Sequence, residues 1–544
     1  MQKTINPVTR LWNLVREEKA DITAIYFFAI IGSLIQLSVP LGIQAILGFV
    51  LAGTLSASLV VLISILVIGV LLTGIMQLNQ MKIIEKIQQK LFVKYAFAFA
   101  NRIPQLDLRQ VDTFYLPELV NRFFDVTALQ KNMAKLLLDL PIAMVQILFG
   151  LLVLSFYHPF FILFGLLLLL LLLLILYTTG SKGLNSSLEE SGHKYSIVGW
   201  FEEMARLVKS FKFASATRLH IAKADERTVS YLQARTRHFM VLLLQYRTLI
   251  AFKVTITGAM LIVGVVLLLR QQINIGQFVA AELIIIMVIS AIEKLIINLD
   301  SVYDVLTAVE KVSKLTDKPT EPTGMHLYQA KHGAHLQVKD LQFAYESAKP
   351  VLSDISFEVR PNEKVSVTGH DGAGKSTLLN LLLGVYHNYE GVILINGIPI
   401  GNYDTTSLRD RTGIYFPYEN VFNGTLWENL TMGRAGIDEQ YVYSLVQQTG
   451  LQSFVSMLPL GYQTPLDPTG KRLPRNVIQK ILLIRALAHQ PRLLIMEEPW
   501  QGLEEPYKEQ IRQLLLDLPN TTVVVATNDD TFIQRCSQQI TLFA

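Results

Sequence analysis

The segment Gly369-His370-Asp371-Gly372-Ala373-Gly374-Lys375-Ser376, followed by Thr377, fits the spacing G-x-x-x-x-G-K-[ST] of a phosphate-binding P-loop. Glycines at these positions let successive backbone N–H groups converge on phosphate oxygens, and a helix N-terminus behind them adds a favourable dipole. Lys375 is spaced to reach terminal phosphates, and the Ser376 hydroxyl to ligate Mg²⁺. The chemistry requires a strand before the loop and a helix after it. Glu363–Thr368 reads as a buried strand and Leu378–Leu383 as a helix, so the flanks set this loop apart from a Gly-rich turn that happens to contain Lys-Ser.

The 544 residues are enough for two or more domains. A content of 51% hydrophobic and 17% charged residues points to a membrane protein. The net charge of +4 gives no broad surface for nucleic acid. One cysteine, Cys536, excludes an internal disulfide framework or a cysteine metal cluster, and its place near the C-terminus suggests a structural role in a helix or loop.

Six apolar segments precede residue 300, at about 22–50, 57–78, 136–157, 159–179, 248–269 and 276–298. Each reaches the roughly 20 mostly apolar residues that span a bilayer. No cleavable signal is expected, because the first run is long and begins after Asp21. Pro40 sits inside the first and is expected to kink it, as a membrane bundle tolerates, while Tyr157-His158-Pro159 forms a tight turn between the third and fourth. The short connections near 51–56 and 157–159 carry no Lys or Arg, and that near 270–275 carries only Arg270. The long connections, about 80–135 and 180–247, are rich in both and keep helical periodicity. The positive-inside rule places these, with both termini, in the cytoplasm, as helices that continue beyond the membrane. Lys253 and Glu293 lie near the cytoplasmic ends of the fifth and sixth segments and are expected to snorkel. Glu282 lies deeper and is either a pathway residue or one that faces water near the outer surface.

Lys318-Pro319-Thr320-Glu321-Pro322-Thr323-Gly324 has the composition of a linker. Beyond about residue 335, short Val/Ile-rich runs alternate with helical patterns, which reads as a soluble α/β domain. The expected organisation is an all-α membrane domain over 1–315, a linker over 316–334 and an α/β P-loop domain over 335–544.

With these pieces together, the chain resembles a half-transporter of the ABC exporter family. Further motifs carry the likeness. Phe343-Ala344-Tyr345 stands where the family has its adenine-stacking aromatic ahead of the first strands, which implies that Tyr345 stacks on the base. Asn423 to Leu430 is similar to the G-T-x-x-E-N segment, Leu458 to Thr464 to L-P-x-G-Y-x-T, and Arg485-Ala486-Leu487 to the end of the signature helix. Leu493 to Pro499 resembles the Walker B strand, with Gly502-Leu503-Glu504 following like the D-loop. In the family, two such chains pair and each ATP is held between one P-loop and the partner's signature motif. The resemblance therefore implies ATP and Mg²⁺ as ligands, Glu497 beside Ser376 at the metal, and Glu498 as the carboxylate that polarises the attacking water.

Several positions depart from the family pattern. Leu473-Pro474-Arg475-Asn476-Val477 stands where the family carries L-S-G-G-Q. Pro474 offers neither hydroxyl nor N–H, and Arg475 and Asn476 hinder the close backbone approach that glycines allow. Arg475 either brings a guanidinium to the phosphates or is an exposed side chain at a helix start. Tyr418 takes the Q-loop glutamine position, Glu497 replaces the Walker B aspartate with one more methylene, and Thr527 takes the switch-histidine position after the last strand. Loss of one preorganised transition-state donor costs about 2.7–4 kcal/mol, so nucleotide binding should survive where hydrolysis is weak.

The function this implies is an ATP-binding subunit of a multi-pass exporter in a bacterial inner membrane, pairing with itself or a second ABC half, with its nucleotide domain in the cytoplasm and an unknown substrate. Glu203 to Phe211 is similar to a cytoplasmic coupling region, as is, less closely, the stretch from Pro104 to Pro117. With the first helix starting by about residue 22, no cysteine-peptidase domain is expected before it. The alternative is a catalytically degenerate structural or regulatory subunit. A P-loop kinase fused to membrane helices fits the Walker B surroundings less well.

Overall fold

The computed structural model describes residues 6–53, 57–110, 116–214, 217–345, 349–467 and 473–543. Residues 54–56 of the first short connection and 111–115 of the Pro104–Pro117 stretch lie outside the described residues. The chain divides into two compact units, Met1–Leu106 with Gln110–Pro319, and Asp107–Arg109 with Thr320–Ala544.

The first unit is all helical: α1 (Pro7–Glu17), α2 (Lys19–Leu51), α3 (Ala57–Arg102), α4 (Leu116–Asn121), α5 (Asp125–Tyr157), α6 (Phe160–Arg206), α7 (Val208–Phe213), α8 (Leu219–Leu269), α9 (Ile275–Ile297) and α10 (Leu299–Thr316). Among the described residues, six helical stretches are long and apolar enough to cross a membrane. The most apolar window of the stretch beginning at Ala57 has none of its residues buried inside the protein, as a lipid-facing helix requires. The 51 residues of α8 reach about 75 Å at 1.5 Å per residue, more than twice a hydrocarbon core of ~30 Å. Such helices must continue beyond the bilayer. Pro40 in α2 and Pro141 in α5 are both buried within unbroken helices.

Small residues allow the helices to close up. A Cβ on Gly150 of α5 would meet Val288 Cγ2 of α9 at 2.6 Å. Where the long helices leave the apolar region, buried polar pairs replace apolar packing: Gln245 Nε2 donates to Thr179 Oγ1 at 2.7 Å and to the Tyr303 hydroxyl at 2.9 Å, and the Tyr195 hydroxyl donates to Asp125 at 2.6 Å. Lys253 and Glu293, both partly exposed, meet in an ion pair at 2.9 Å.

The second unit has two sheets. An antiparallel one joins β1 (Leu336–Phe343), β2 (Leu352–Val359), β4 (Glu390–Ile395) and β5 (Ile398–Pro399), in the order β2-β1-β4-β5. A parallel one joins β3 (Lys364–Gly369), β6 (Thr412–Tyr415), β7 (Leu493–Glu497), β8 (Thr522–Ala526) and β9 (Gln538–Leu542), in the order β6-β7-β8-β3-β9. Residues of β3 and β8 are almost all buried, which explains their unbroken Val-rich runs. The helices are α11 (Lys375–Leu382), α12 (Thr405–Asp410), α13 (Leu426–Thr431), α14 (Glu439–Gln448), α15 (Gln452–Met457), α16 (Arg475–Leu487), α17 (Glu505–Asp517) and α18 (Asp530–Ile533). Two expectations need correcting. Tyr345 follows β1 and does not precede the first strands, and Thr527 follows β8, with β9 still to come. Cys536 lies in the bend between α18 and β9, half-buried, and burial pushes its thiol up to about 11.

Candidate nucleotide site

The loop from His370 to Gly374 joins the C-terminal end of β3 to the N-terminus of α11. Gly374 caps that helix at φ 88°, and a Cβ there would meet Leu352 Cδ2 at 2.7 Å, so the turn needs glycine both for its backbone and for space. Lys375 folds back along the loop. Its ammonium donates to the carbonyls of Gly369 at 2.6 Å and His370 at 3.1 Å and sits 3.9 Å from Asp371. Its ammonium is thus held over the loop by backbone carbonyls. Ala373 and Thr377 are buried beneath the loop.

Ser376 and Glu497 are 121 positions apart in sequence, yet the Ser376 hydroxyl donates to Glu497 Oε1 at 2.6 Å. Parallel pairing brings them together, because β8 runs between β3 and β7 and aligns the C-terminal ends of all three. The other carboxylate oxygen, Glu497 Oε2, is buried without a hydrogen-bond partner. Two oxygens in contact and a third unsatisfied fit a hard cation that prefers oxygen.

Glu498 follows directly after β7 with φ 43°, a conformation uncommon for a side chain this long. Its N–H donates to the Ala526 carbonyl at 2.9 Å. Its carboxylate accepts from the Thr527 hydroxyl at 3.0 Å and the Asn528 N–H at 3.1 Å. Thr527 is fully buried, and its oxygen also accepts from the Asp529 N–H at 3.1 Å. The residue at the histidine position is thus wired into the fold through its hydroxyl, and it carries no charge of its own.

Tyr345 packs edge-on against Phe343 and Tyr386, with ring centroids at 5.0 and 5.7 Å. Its hydroxyl lies 3.1 Å from Thr377 Oγ1, which ties the aromatic to the P-loop helix. Tyr418 stacks on Phe416 at 5.3 Å. Its ring is 66% exposed, while partial desolvation, followed by the charge of Glu497, pushes the phenol up to about 12 and so keeps it neutral.

Pro474 is the N-cap of α16 and Arg475 its first residue. The Arg475 guanidinium donates to the Pro417 carbonyl, next to Tyr418. Arg475 is exposed at the helix start and tethered within its own domain. Asn476 turns its side-chain oxygen to the Val477 N–H at 2.9 Å, and Val477 is buried.

Other motif residues are structural. Thr425 and Glu428 form a capping box on α13. Asn429 is fully buried and clamps Phe422 through its N–H and carbonyl, while the Arg485 guanidinium donates to the Asn429 carbonyl at 2.9 Å and to its side-chain oxygen at 3.1 Å. Sequence reasoning missed Asn528, whose contribution is a backbone N–H and leaves no side-chain signal.

Residues 352–501 match the family model described as ABC transporter. The chain is 34% identical over 224 residues to the ATP-dependent lipid A-core flippase of Saccharophagus degradans, a match that covers 41% of this chain and 38% of the flippase. It is 24% identical over 534 residues to the lactococcin-A transport/processing ATP-binding protein of Lactococcus lactis, covering 94% of this chain and 72% of that one. The first curated relatives are matched over half their length or less, at 38%, 50% and 44%. Among solved structures, a bacterial Atm1-family ABC exporter with ATP bound superposes with a TM-score of 0.83 at 19% identity, over 97% of this chain and 94% of that one. The chain is a multi-pass membrane protein with the fold of an ABC exporter, and its residues 352–501 belong to a domain that matches the ABC transporter family model.

Proposed function

We propose that this chain is the ATP-binding half of a membrane exporter, in which nucleotide binding drives two nucleotide domains together and moves the helices between access states. The single observation that carries the reading is the Ser376–Glu497 contact at 2.6 Å beneath a P-loop whose lysine is poised over the cradle. Tyr345 would stack on the adenine, and the backbone from Gly369 to Thr377 with Lys375 would hold the phosphates. Ser376 and Glu497 would hold Mg²⁺, which when bound neutralises phosphate charge. Glu498 would orient the attacking water, with Thr527 and Asn528 fixing its carboxylate.

A second chain must supply the opposite face of each site. In a homodimer that face starts at Pro474, Arg475, Asn476 and Val477. Pro474 has no N–H to give, and Arg475 is already bonded to Pro417. Both sites then lack the donors that stabilise the transition state, and hydrolysis is slow. The inner membrane of a bacterium is the proposed location, with both termini cytoplasmic. Relatives named as a lipid A-core flippase and a lactococcin-A transport/processing protein support a transported substrate.

The arrangement around Thr527 and Arg475 also favours a second reading, a degenerate regulatory subunit that works only beside an ABC half with an intact signature. Equilibrium binding of Mg-ATP, with steady-state ATPase for the chain alone and with a candidate partner, separates the two. Binding with no turnover alone and turnover with a partner supports the regulatory subunit. No Mg-ATP binding at all overturns both.

A further inference from the structure

Glu498 has its backbone in the left-handed region, and such a conformation persists only where its surroundings fix it. The Thr527 hydroxyl and the Asn528 N–H hold its carboxylate, one on each oxygen. Both donors belong to the short turn between β8 and α18, so the turn must itself be fixed. Asp529 is what fixes it. Its N–H donates to Thr527 Oγ1 at 3.1 Å, and its Oδ1 accepts from the Phe532 N–H at 2.9 Å as the N-cap of α18.

The remaining Asp529 oxygen, Oδ2, accepts from Arg512 Nη2 of α17 at 2.6 Å. Arg512 is 6% exposed, and its Nη1 donates to Glu509 Oε2 at 3.2 Å. Its guanidinium lies 5.8 Å from the Trp500 ring, which packs on Phe532 at 4.9 Å. Trp500 is buried and stands two residues beyond Glu498, so the indole helps to shield the pair from water. Desolvation offsets much of the attraction within a buried ion pair, so such a pair adds little net stability over apolar packing. What a short charge-assisted contact supplies is a fixed distance and direction.

We propose that Asp529 and Arg512 are positioning residues for Glu498: their ion pair locks the 527–529 turn to α17, and the locked turn aims the carboxylate. The proposal deepens the export reading and rests on it for Glu498 as the group that orients water. Neither residue acts on the nucleotide directly. Each acts through the Thr527 hydroxyl and the Asn528 N–H. The device takes the place of an imidazole at position 527 as the means of holding Glu498, without supplying its charge.

The test uses the full-length protein in detergent. Asp529→Asn removes the charge, keeps a side chain that can cap α18 and leaves Arg512 paired with Glu509, so the variant is expected to fold. Hydrogen exchange should quicken about tenfold or more at the Asn528 and Asp529 amides and stay as in the wild type at Phe532. Single-turnover hydrolysis, with protein in excess over Mg-ATP, should slow about tenfold at unchanged Mg-ATP affinity, as for a displaced reacting group. Arg512→Gln should act in the same direction, and Arg512→Lys, which keeps the charge, should lose less. In a Glu498→Gln background, Asp529→Asn should slow hydrolysis no further, because the carboxylate it positions is gone. A purely structural role would slow both backgrounds alike. Wild-type exchange at Asn528 and Asp529, or equal slowing in both backgrounds, would overturn the proposal. If the wild type forms no product in a single turnover, the exchange result decides alone. Loss of Mg-ATP binding by the wild type, with exchange responding as expected, would count against the export reading alone.

Discussion

The Thr527 hydroxyl donates to the Glu498 carboxylate at 3.0 Å and accepts from the Asp529 N–H at 3.1 Å, so one buried oxygen joins the proposed water-orienting residue to the turn after β8. An imidazole here could carry a positive charge towards the terminal phosphate; a hydroxyl cannot. Thr527→Val strands both partners and should lower stability by about 1–3 kcal/mol, whereas Thr527→Ser should leave it near wild type. Thermal unfolding in detergent, followed for both variants, checks the contrast. Equal stability of Val and Ser variants would show that the hydroxyl is not part of the fold.

Nucleotide affinity should depend on both ends of the cradle. Lys375→Ala should reduce Mg-ATP binding sharply, because the ammonium that lies across the Gly369 and His370 carbonyls is the only lysine on the loop. Tyr345→Ala should cost roughly 1 kcal/mol or more through lost stacking, by analogy with base–aromatic stacking. Fluorescent-nucleotide titration reads both, and wild-type affinity in Lys375→Ala would remove the site assignment.

His489 gives a pH signature in the nucleotide domain. Burial first, then the charge of Arg434, lowers its imidazole to about 4, and its Nε2 lies 3.2 Å from the Thr412 carbonyl, which the neutral ring can satisfy as a donor. The unfolded chain takes up a proton near 6.5 while the folded one resists, so the stability is present above about pH 6.5 and is lost as pH falls towards 4. The loss should be of the order of 2–3 kcal/mol, and His489→Gln should flatten it. Unfolding midpoints at pH 7, 5.5 and 4.5 decide; identical slopes for wild type and variant would reject this source.

The Lys/Arg asymmetry predicts topology. A reporter fused near residue 54 or 158 should be extracytoplasmic, and one near 110, 210 or 320 cytoplasmic. Cytoplasmic signal from the fusion at 54 would break the six-helix orientation.

What the sequence made legible was local. The P-loop carries its elements in adjacent residues, and the membrane helices announce themselves by length and apolarity alone. Contacts that depend on sheet order were not legible: Ser376 and Glu497 meet only because β8 lies between β3 and β7. Tyr345 could be counted as the base-stacking aromatic, yet its place after β1 had to come from strand pairing. The fate of Arg475 was also a tertiary matter, since Pro417 lies 58 positions earlier.

The most direct measurement is steady-state ATPase of the purified chain beside Glu498→Gln, with Mg-ATP binding measured on the same samples. Both proteins should bind nucleotide, the wild type should turn over slowly if at all, and Glu498→Gln should change that rate little in absolute terms. Robust turnover by the homodimer, abolished by Glu498→Gln, would contradict the claim that Pro474 to Val477 and Thr527 leave the sites catalytically weak.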